Sequence, residues 1–310
     1  MEKQQFFEQY GIQQDNFAKT GLTWNELEAI RADHIKNRDR LEAAAKYVAE
    51  RLNTLSQVHT IKTRIKDPDH LIEKIIRKKI EDPNMTIGVK GYCRTIKDLV
   101  GVKALHLFKE DWQKIHDFIV CTWNLQKKPV ANICEGDNEE FVNRFKEKGC
   151  MIHKHPFGYR SVHYVVKFSP SRVESTMVEI QVRTILEEAW SEIDHLIRYP
   201  YGDGKKVLSP YLLFLNRLLG NADEMSSFIK ILNDHVPGNT RRSEETAAKE
   251  KNPINYFRNN LHELPIECRI KELLEERIKS LEKQLASIKT MPRYENVADA
   301  FMSPKHEPPS

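Results

Sequence analysis

The sequence predicts an α+β fold: a mixed β-sheet flanked by helices, with helical extensions at both ends. Three observations predict it. Residues 99–108, 159–168 and 176–184 are β-branched or alternating runs. The segments around them repeat their apolar residues at helical spacing. The last two runs are joined by "SPSRVES", a polar connection short enough for antiparallel neighbours.

Each element follows in order. Residues 1–55 read as a helical lead-in: Thr23 and Glu26 are spaced as a capping box, and "RDRLEAAAKYVAERL" is made of strong helix formers. "DPDHLIEKIIRKKI" reads as a further helix, opened by Asp-Pro-Asp and carrying Leu71, Ile75 and Ile76 along one side. "LVGVKALHLF" is the first strand, and "WQKIHDFIVCTWNL" a helix before the second. After "TMVEIQVRT" come two helices, "LEEAWSEIDHLIRY" and "SPYLLFLNRLLGNADEMSSFIKIL", which close a central domain over 56–235. Residues 236–310 read as a linker, an amphipathic helix with Leu274, Ile278, Leu281, Leu285 and Ile288 spaced 4, 3, 4, 3, and a loose tail.

Composition narrows the class. With 40% hydrophobic and 30% charged residues and no apolar run near the roughly 20 residues of a membrane span, the chain reads as a soluble globular protein. The N-terminus lacks the apolar core of a secretory signal, and five scattered cysteines without a CxxC pair read as reduced thiols, so a cytoplasmic location is expected. Net charge is +4, yet residues 62–103 hold eleven Lys/Arg against six Asp/Glu. Such a concentration is either a solvated helix face or a site for an anionic ligand such as nucleotide phosphates or nucleic acid.

The strands favour the ligand. Side chains alternate between the faces of a strand, so Tyr159, Ser161 and His163 share one face, as do Glu179, Gln181 and Arg183 on the next strand. Asp98 stands just before the first strand. Two carboxylates converging from different strand ends suit a hard divalent cation such as Mg²⁺, which takes few protein oxygens and leaves the rest to water and phosphates. Arg64 and Lys66 ahead of the basic helix, and Lys74 within it, add three cations for a triphosphate. A lone polar strand face is usually solvated surface; the basic helix beside it turns the reading toward phosphate.

Four ordered blocks, "RIKDPDHLIEKIIRK", "IKDLVGVKAL", "GYRSVHYVV" and "VEIQVRTILEEAWSEIDHLIRY", resemble the RelA/SpoT-type synthetases from about Thr60 to Tyr201. Those enzymes transfer the pyrophosphate of ATP to the 3′-hydroxyl of GDP or GTP, making guanosine tetra- and pentaphosphate, on a nucleotidyltransferase-like domain. The resemblance implies that Arg64, Lys66, Lys74 and Lys103 bind ATP. It implies that Asp98 and Glu179 hold Mg²⁺ or assist the attacking hydroxyl. Tyr159 would stack on the acceptor base, with His163, Gln181, Arg183 and His155 completing the acceptor pocket. Copies of the chain would associate through the terminal helices. With fewer than 60 residues ahead of the blocks, the hydrolase domain of longer relatives is not expected.

Three positions depart from the family pattern: Lys103 where arginine is usual, His70 for a small hydroxyl residue, and "KHPFGY" where the loop commonly carries lysine and asparagine. The last bears on the acceptor. Two other functions therefore stand beside the first: a toxin-like relative that pyrophosphorylates the 3′ end of tRNA or adenosine nucleotides, and a nucleotide sensor without activity. The pair His116–Asp117 reads as a surface pair, Trp190, Ile193 and Ile197 as the packed side of their helix, and His195 as a buried or capping residue.

Overall fold

A computed structural model describes residues 2–169, 175–198 and 208–235, together with Glu272, Glu275, Glu276, Ile278, Lys279, Glu282, Lys283 and Ala286. Four helices lead in: α1 (Lys3–Tyr10), α2 (Gln14–Ala18), α3 (Trp24–Lys36) and α4 (Arg38–Leu52). Then come β1 (Thr60–Ile65), α5 (Pro68–Glu81), α6 (Tyr92–Thr95), β2 (Val100–His106), α7 (Trp112–Thr122), β3 (Val130–Ile133), α8 (Glu139–Glu147) and β4 (Met151–Lys154). The remaining elements are β5 (Ser161–Phe168), β6 (Thr176–Thr184), α9 (Ile185–Arg198) and α10 (Ser209–His235). All of the 237–253 linker, Leu274, Leu281, Leu285, Ile288, the tail, and residues 170–174 between the last two strands lie outside the described residues. The chain divides into two compact units, Met1–Ser227 and Phe228–Ser310.

The six strands form one sheet in the order β1-β2-β6-β5-β3-β4, with β2 and β6 parallel and β5 and β6 antiparallel. The sequence read three of these strands. It missed β1, β3 and β4, which are short and, in β1, mostly polar: an edge strand with one neighbour has little apolar pattern to show. Arg64, read as lying ahead of the basic helix, is thus a strand residue, paired in register with Gly101.

Alternation then sorts the sheet. Val100, Val102, Ala104, Val162, Tyr164, Val166, Val178, Ile180 and Val182 are buried and pack with α4 and α7 into one core. Tyr164 keeps its hydroxyl there by accepting from Trp112 Nε1 at 3.0 Å and sharing a 3.0 Å bond with His116 Nδ1. His116 is therefore a core residue and no surface pair, while Asp117 faces outward to Lys148 at 2.7 Å. A second apolar cluster joins Phe6, Phe7, Phe17, Leu27 and Ile30 of the lead-in to Leu71, Ile72, Ile75 and Ile76 of α5.

The local signals read in the sequence form as physics requires. Thr23 and Glu26 make the reciprocal capping box, and Asp67 caps α5 ahead of Pro68 at its first position. Helix α9 buries Trp190, whose Nε1 donates to the Leu212 carbonyl at 2.8 Å, but Ile193 is exposed, against the packed side expected of it, and so is His195, which was expected to be buried or capping. Helix α10 is inverted. Beside the apolar Leu212 and Phe228 it buries Asn216, Asp223, Glu224 and Ser227, and it exposes Tyr211, Phe214 and Leu218, because its inner side meets the polar rim of the sheet.

Candidate functional site

The face of the sheet opposite the core carries the candidate site. In one row across it stand Arg64, Gly101, Glu179 and Val165; in the next, Lys62, Lys103, Gln181 and His163. Gly101 keeps the first row low. A Cβ there would lie 3.2 Å from Arg64 Cγ, so the missing side chain lets the arginine lie across β2 toward Glu179.

At the start of β2, Asp98 receives Lys66 Nζ at 3.0 Å and Lys74 Nζ at 2.7 Å on the same oxygen, Oδ2. Burial alone would raise this carboxyl, but the two ammonium groups outweigh it and hold it down to about 2. Oδ1 is buried with no hydrogen-bond partner. Lys66 is fixed in turn from its backbone, whose carbonyl bonds His34 Nε2 of α3 at 2.7 Å.

Glu179 is the second carboxylate. Burial pushes it up and the Asp98 charge adds to that, yet His163 and a hydrogen bond from Gln181 Nε2 at 2.8 Å bring it below its usual range. His163 links it to Tyr159. Arg183 donates to the tyrosine hydroxyl at 2.8 Å, and the hydroxyl shares a 2.9 Å bond with His163 Nε2. His163 Nδ1 stands 3.6 Å from Glu179 Oε1. The Arg183 guanidinium also lies 4.9 Å from the Tyr159 ring centre and donates to the Gln181 side-chain oxygen. His155 stands beside Tyr159 with ring centres 5.3 Å apart, and burial, then the neighbouring His153, lowers its pKa.

The structure thus gathers Tyr159, His163, Gln181, Arg183 and His155 into one cluster, linked to Glu179, and gathers Lys66 and Lys74 around Asp98. Lys103 behaves differently. Its ammonium is held by Glu188 at 2.9 Å and Glu192 at 2.6 Å. Glu188, only 3% exposed, also receives Lys62 at 3.4 Å and Arg183 at 3.3 Å. These two glutamates were missed in the sequence. Their spacing of four on a helix that leaves β6 places both over the sheet, and that was the available signal.

The basic helix has less free charge than its sequence suggests. Arg77 pairs with Glu73 at 3.2 Å and Glu81 at 3.7 Å, and Lys79 donates to the Met85 carbonyl at 2.8 Å. A cavity of about 60 Å³ lies under α8, lined by Lys109, Asp137, Phe141, Arg144 and Arg160 among others. It has room for a few waters and not for a nucleotide. Among the described residues, no cluster of three or more His, Cys, Asp or Glu is arranged to hold a metal, and no helix is long and apolar enough to cross a membrane.

Residues 63–204 match a family described as "Region found in RelA / SpoT proteins". The chain is 25% identical over 167 residues to the GTP pyrophosphokinase YwaC of Bacillus subtilis (strain 168), covering 52% of this chain and 69% of that protein. It is 26% identical over 149 residues to the GTP pyrophosphokinase YjbM of the same organism, covering 47% of this chain and 59% of that one. Among solved structures, it is similar to the small alarmone synthetase 1 from Bacillus subtilis bound to its product pppGpp, at 20% identity over 61% of this chain and 92% of that chain, with a TM-score of 0.46.

Proposed function

We propose, from the premise that residues 63–204 carry the region found in RelA / SpoT proteins, that this chain is a GTP pyrophosphokinase. It moves the pyrophosphoryl group of ATP to the 3′-hydroxyl of GDP or GTP, a reading supported by its similarity to the GTP pyrophosphokinases YwaC and YjbM. The observation that carries the reading is the shared face: two ionised carboxylates, one flanked by cations and the other joined to an aromatic wall.

In this reading Arg64, Lys66 and Lys74 hold the ATP phosphates, and Tyr159 offers the ring face not covered by Arg183 to the guanine. Lys103 lies at the edge of the donor site as part of the Glu188–Glu192 group. The 3′-oxygen attacks the β-phosphorus, the bond from the β-phosphorus to the oxygen bridging it to the α-phosphate breaks, and AMP leaves. The hydroxyl proton passes to Glu179. A carboxylate held below its usual range is a weak base but a ready hydrogen-bond acceptor. That suits phosphoryl chemistry, in which positioning and electrostatics outweigh proton abstraction.

The donor set fits a divalent cation such as Mg²⁺: both carboxylates are ionised, and Asp98 Oδ1 is buried without a partner. Asp98 and Glu179 would hold it, and when bound it would neutralise charge on the phosphate oxygens. The same reading places the protein in the cytoplasm, where the unbridged Cys93, Cys121, Cys134 and Cys150 would stay reduced. Self-association through the terminal helices belongs to the same reading.

The test is to incubate the protein with γ-labelled ATP and Mg²⁺ and, separately, GDP, GTP, AMP, ATP or deacylated tRNA. Labelled guanosine product supports the assignment. Label on tRNA or adenosine nucleotides alone overturns the acceptor, and no transfer to any of them overturns the enzyme.

A further inference from the structure

Tyr159 lies between two residues that α10 holds. Asn216, 2% exposed, donates from Nδ2 to the Gly158 carbonyl at 2.9 Å and accepts at Oδ1 from Arg160 Nη1 at 2.6 Å. Both ends of one buried amide therefore grip the residues on either side of the tyrosine. One turn further along α10, Gly220 makes room for the same guanidinium: a Cβ there would stand 3.3 Å from Arg160 Nη2. The other side of the guanidinium forks onto Asp137, at 2.6 Å from Nη2 and 2.9 Å from Nε.

Gly158 is shaped to the same contact. Its φ is +80°, which favours glycine, and a Cβ would meet Asn216 Oδ1 and Cys134 Sγ at 3.1 Å. Its own N–H donates to the His155 carbonyl at 3.0 Å, closing the loop on itself. Asn216 lies beyond the matched region, which ends at residue 204.

We propose that Asn216 is a positioning residue for the acceptor: it locks the backbone on both sides of Tyr159, so that the ring and hydroxyl are presented in one orientation before the nucleotide arrives. This rests on the reading of the Tyr159 wall as the acceptor site. Without the clamp, acceptor binding must also order the loop, a cost that appears in acceptor affinity and not in ATP affinity.

The test uses the full chain with Asn216→Ala and Asn216→Asp, varying ATP and acceptor separately and following amide hydrogen exchange over residues 155–161. Asn216→Ala is expected to raise the acceptor KM about five- to tenfold, the equivalent of one buried hydrogen bond or slightly more. The KM for ATP should stay within about twofold. Exchange over 155–161 should quicken while β5 and β6 stay as they were. Asn216→Asp keeps the acceptor for Arg160 but sets an oxygen against the Gly158 carbonyl. It should shift the same quantities the same way, and it decides the matter if the alanine variant does not fold. Equal changes in both KM values, or unchanged exchange over 155–161, overturn the proposal. Should the wild type use no guanosine nucleotide, the functional reading fails; the exchange measurement, with the KM of whichever acceptor is used, still decides the role of Asn216.

Discussion

Lys74 donates to Asp98 across 2.7 Å, so a helix and the start of a strand are joined by an ion pair in the middle of the proposed phosphate site. Asp98→Asn should therefore do two things. Activity should fall by at least about a hundredfold, as expected for loss of a principal electrostatic contact. Stability should also fall, by about 1–3 kcal/mol at pH 7, because Lys66 and Lys74 lose their shared anion in a half-buried position. The Asp98 carboxyl sits below its ordinary value, so its stabilisation is present above about pH 4 and is lost as pH falls toward 2. Melting curves of wild type and variant should converge over that window; a constant gap would show that the pairing does not stabilise the fold.

Glu188 balances three cations, and its neutralisation should separate stability from affinity. Glu188→Gln is expected to lower stability by about 2 kcal/mol, since Arg183 is almost fully buried beside it. The KM for ATP should fall, because Lys62 and Lys103 are released toward phosphate. Thermal melting and initial rates at two salt concentrations read both effects. A raised KM would place Glu188 in direct contact with the donor.

Tyr159 combines a ring with a hydroxyl, and two substitutions separate them. Tyr159→Ala should cost about 1–3 kcal/mol of acceptor binding, the range for base–aromatic stacking. Tyr159→Phe keeps the ring but removes the link from Arg183 to His163, so it should leave acceptor KM within a few-fold while altering the acid limb of the kcat profile. Identical losses in the two variants would mean that the ring does not stack.

Asp223 is a buried carboxyl on α10 that accepts from Thr184 Oγ1 at 2.7 Å. Burial and then the Glu187 charge raise it to about 7, with Lys109, Thr184 and Arg160 acting in the opposite direction. A carboxyl raised in the folded state contributes stability that is full below about pH 4 and lost as pH climbs to about 7. Asp223→Asn needs no proton, so it should match the wild type near pH 4 and exceed it at pH 8 by at least about 1.4 kcal/mol, the value of one pKa unit. A stability difference that does not change with pH would refute the shift.

The central strands and the site residues on them were legible because alternation is a local code: Tyr164 and Val166 inward, His163 outward, Glu179 and Gln181 outward beside them. Asp98, Lys66 and Lys74 were legible as a cluster of charges, though not that two of the cations share one carboxylate oxygen. Edge strands β1 and β4 were hidden because half of their surroundings is solvent. His116 and Ile193 were misplaced because spacing along a helix does not say which neighbour will cover it. Asn216 could not be found at all from local pattern, since its partners, Gly158 and Arg160, lie more than fifty residues away.

The inverted helix α10 also sets where the polypeptide can be shortened. A chain ended after residue 204 would keep every matched motif, yet it would leave the Gly158 carbonyl, Thr184 Oγ1, the Lys109 N–H and Trp190 Nε1 without the partners that α10 supplies. Losing those hydrogen bonds costs stability, roughly 0.5–1.5 kcal/mol for each one. The smallest fragment fit for expression therefore runs through Ser227, where the first compact unit ends, and its C-terminal limit is set by hydrogen-bond closure and not by similarity.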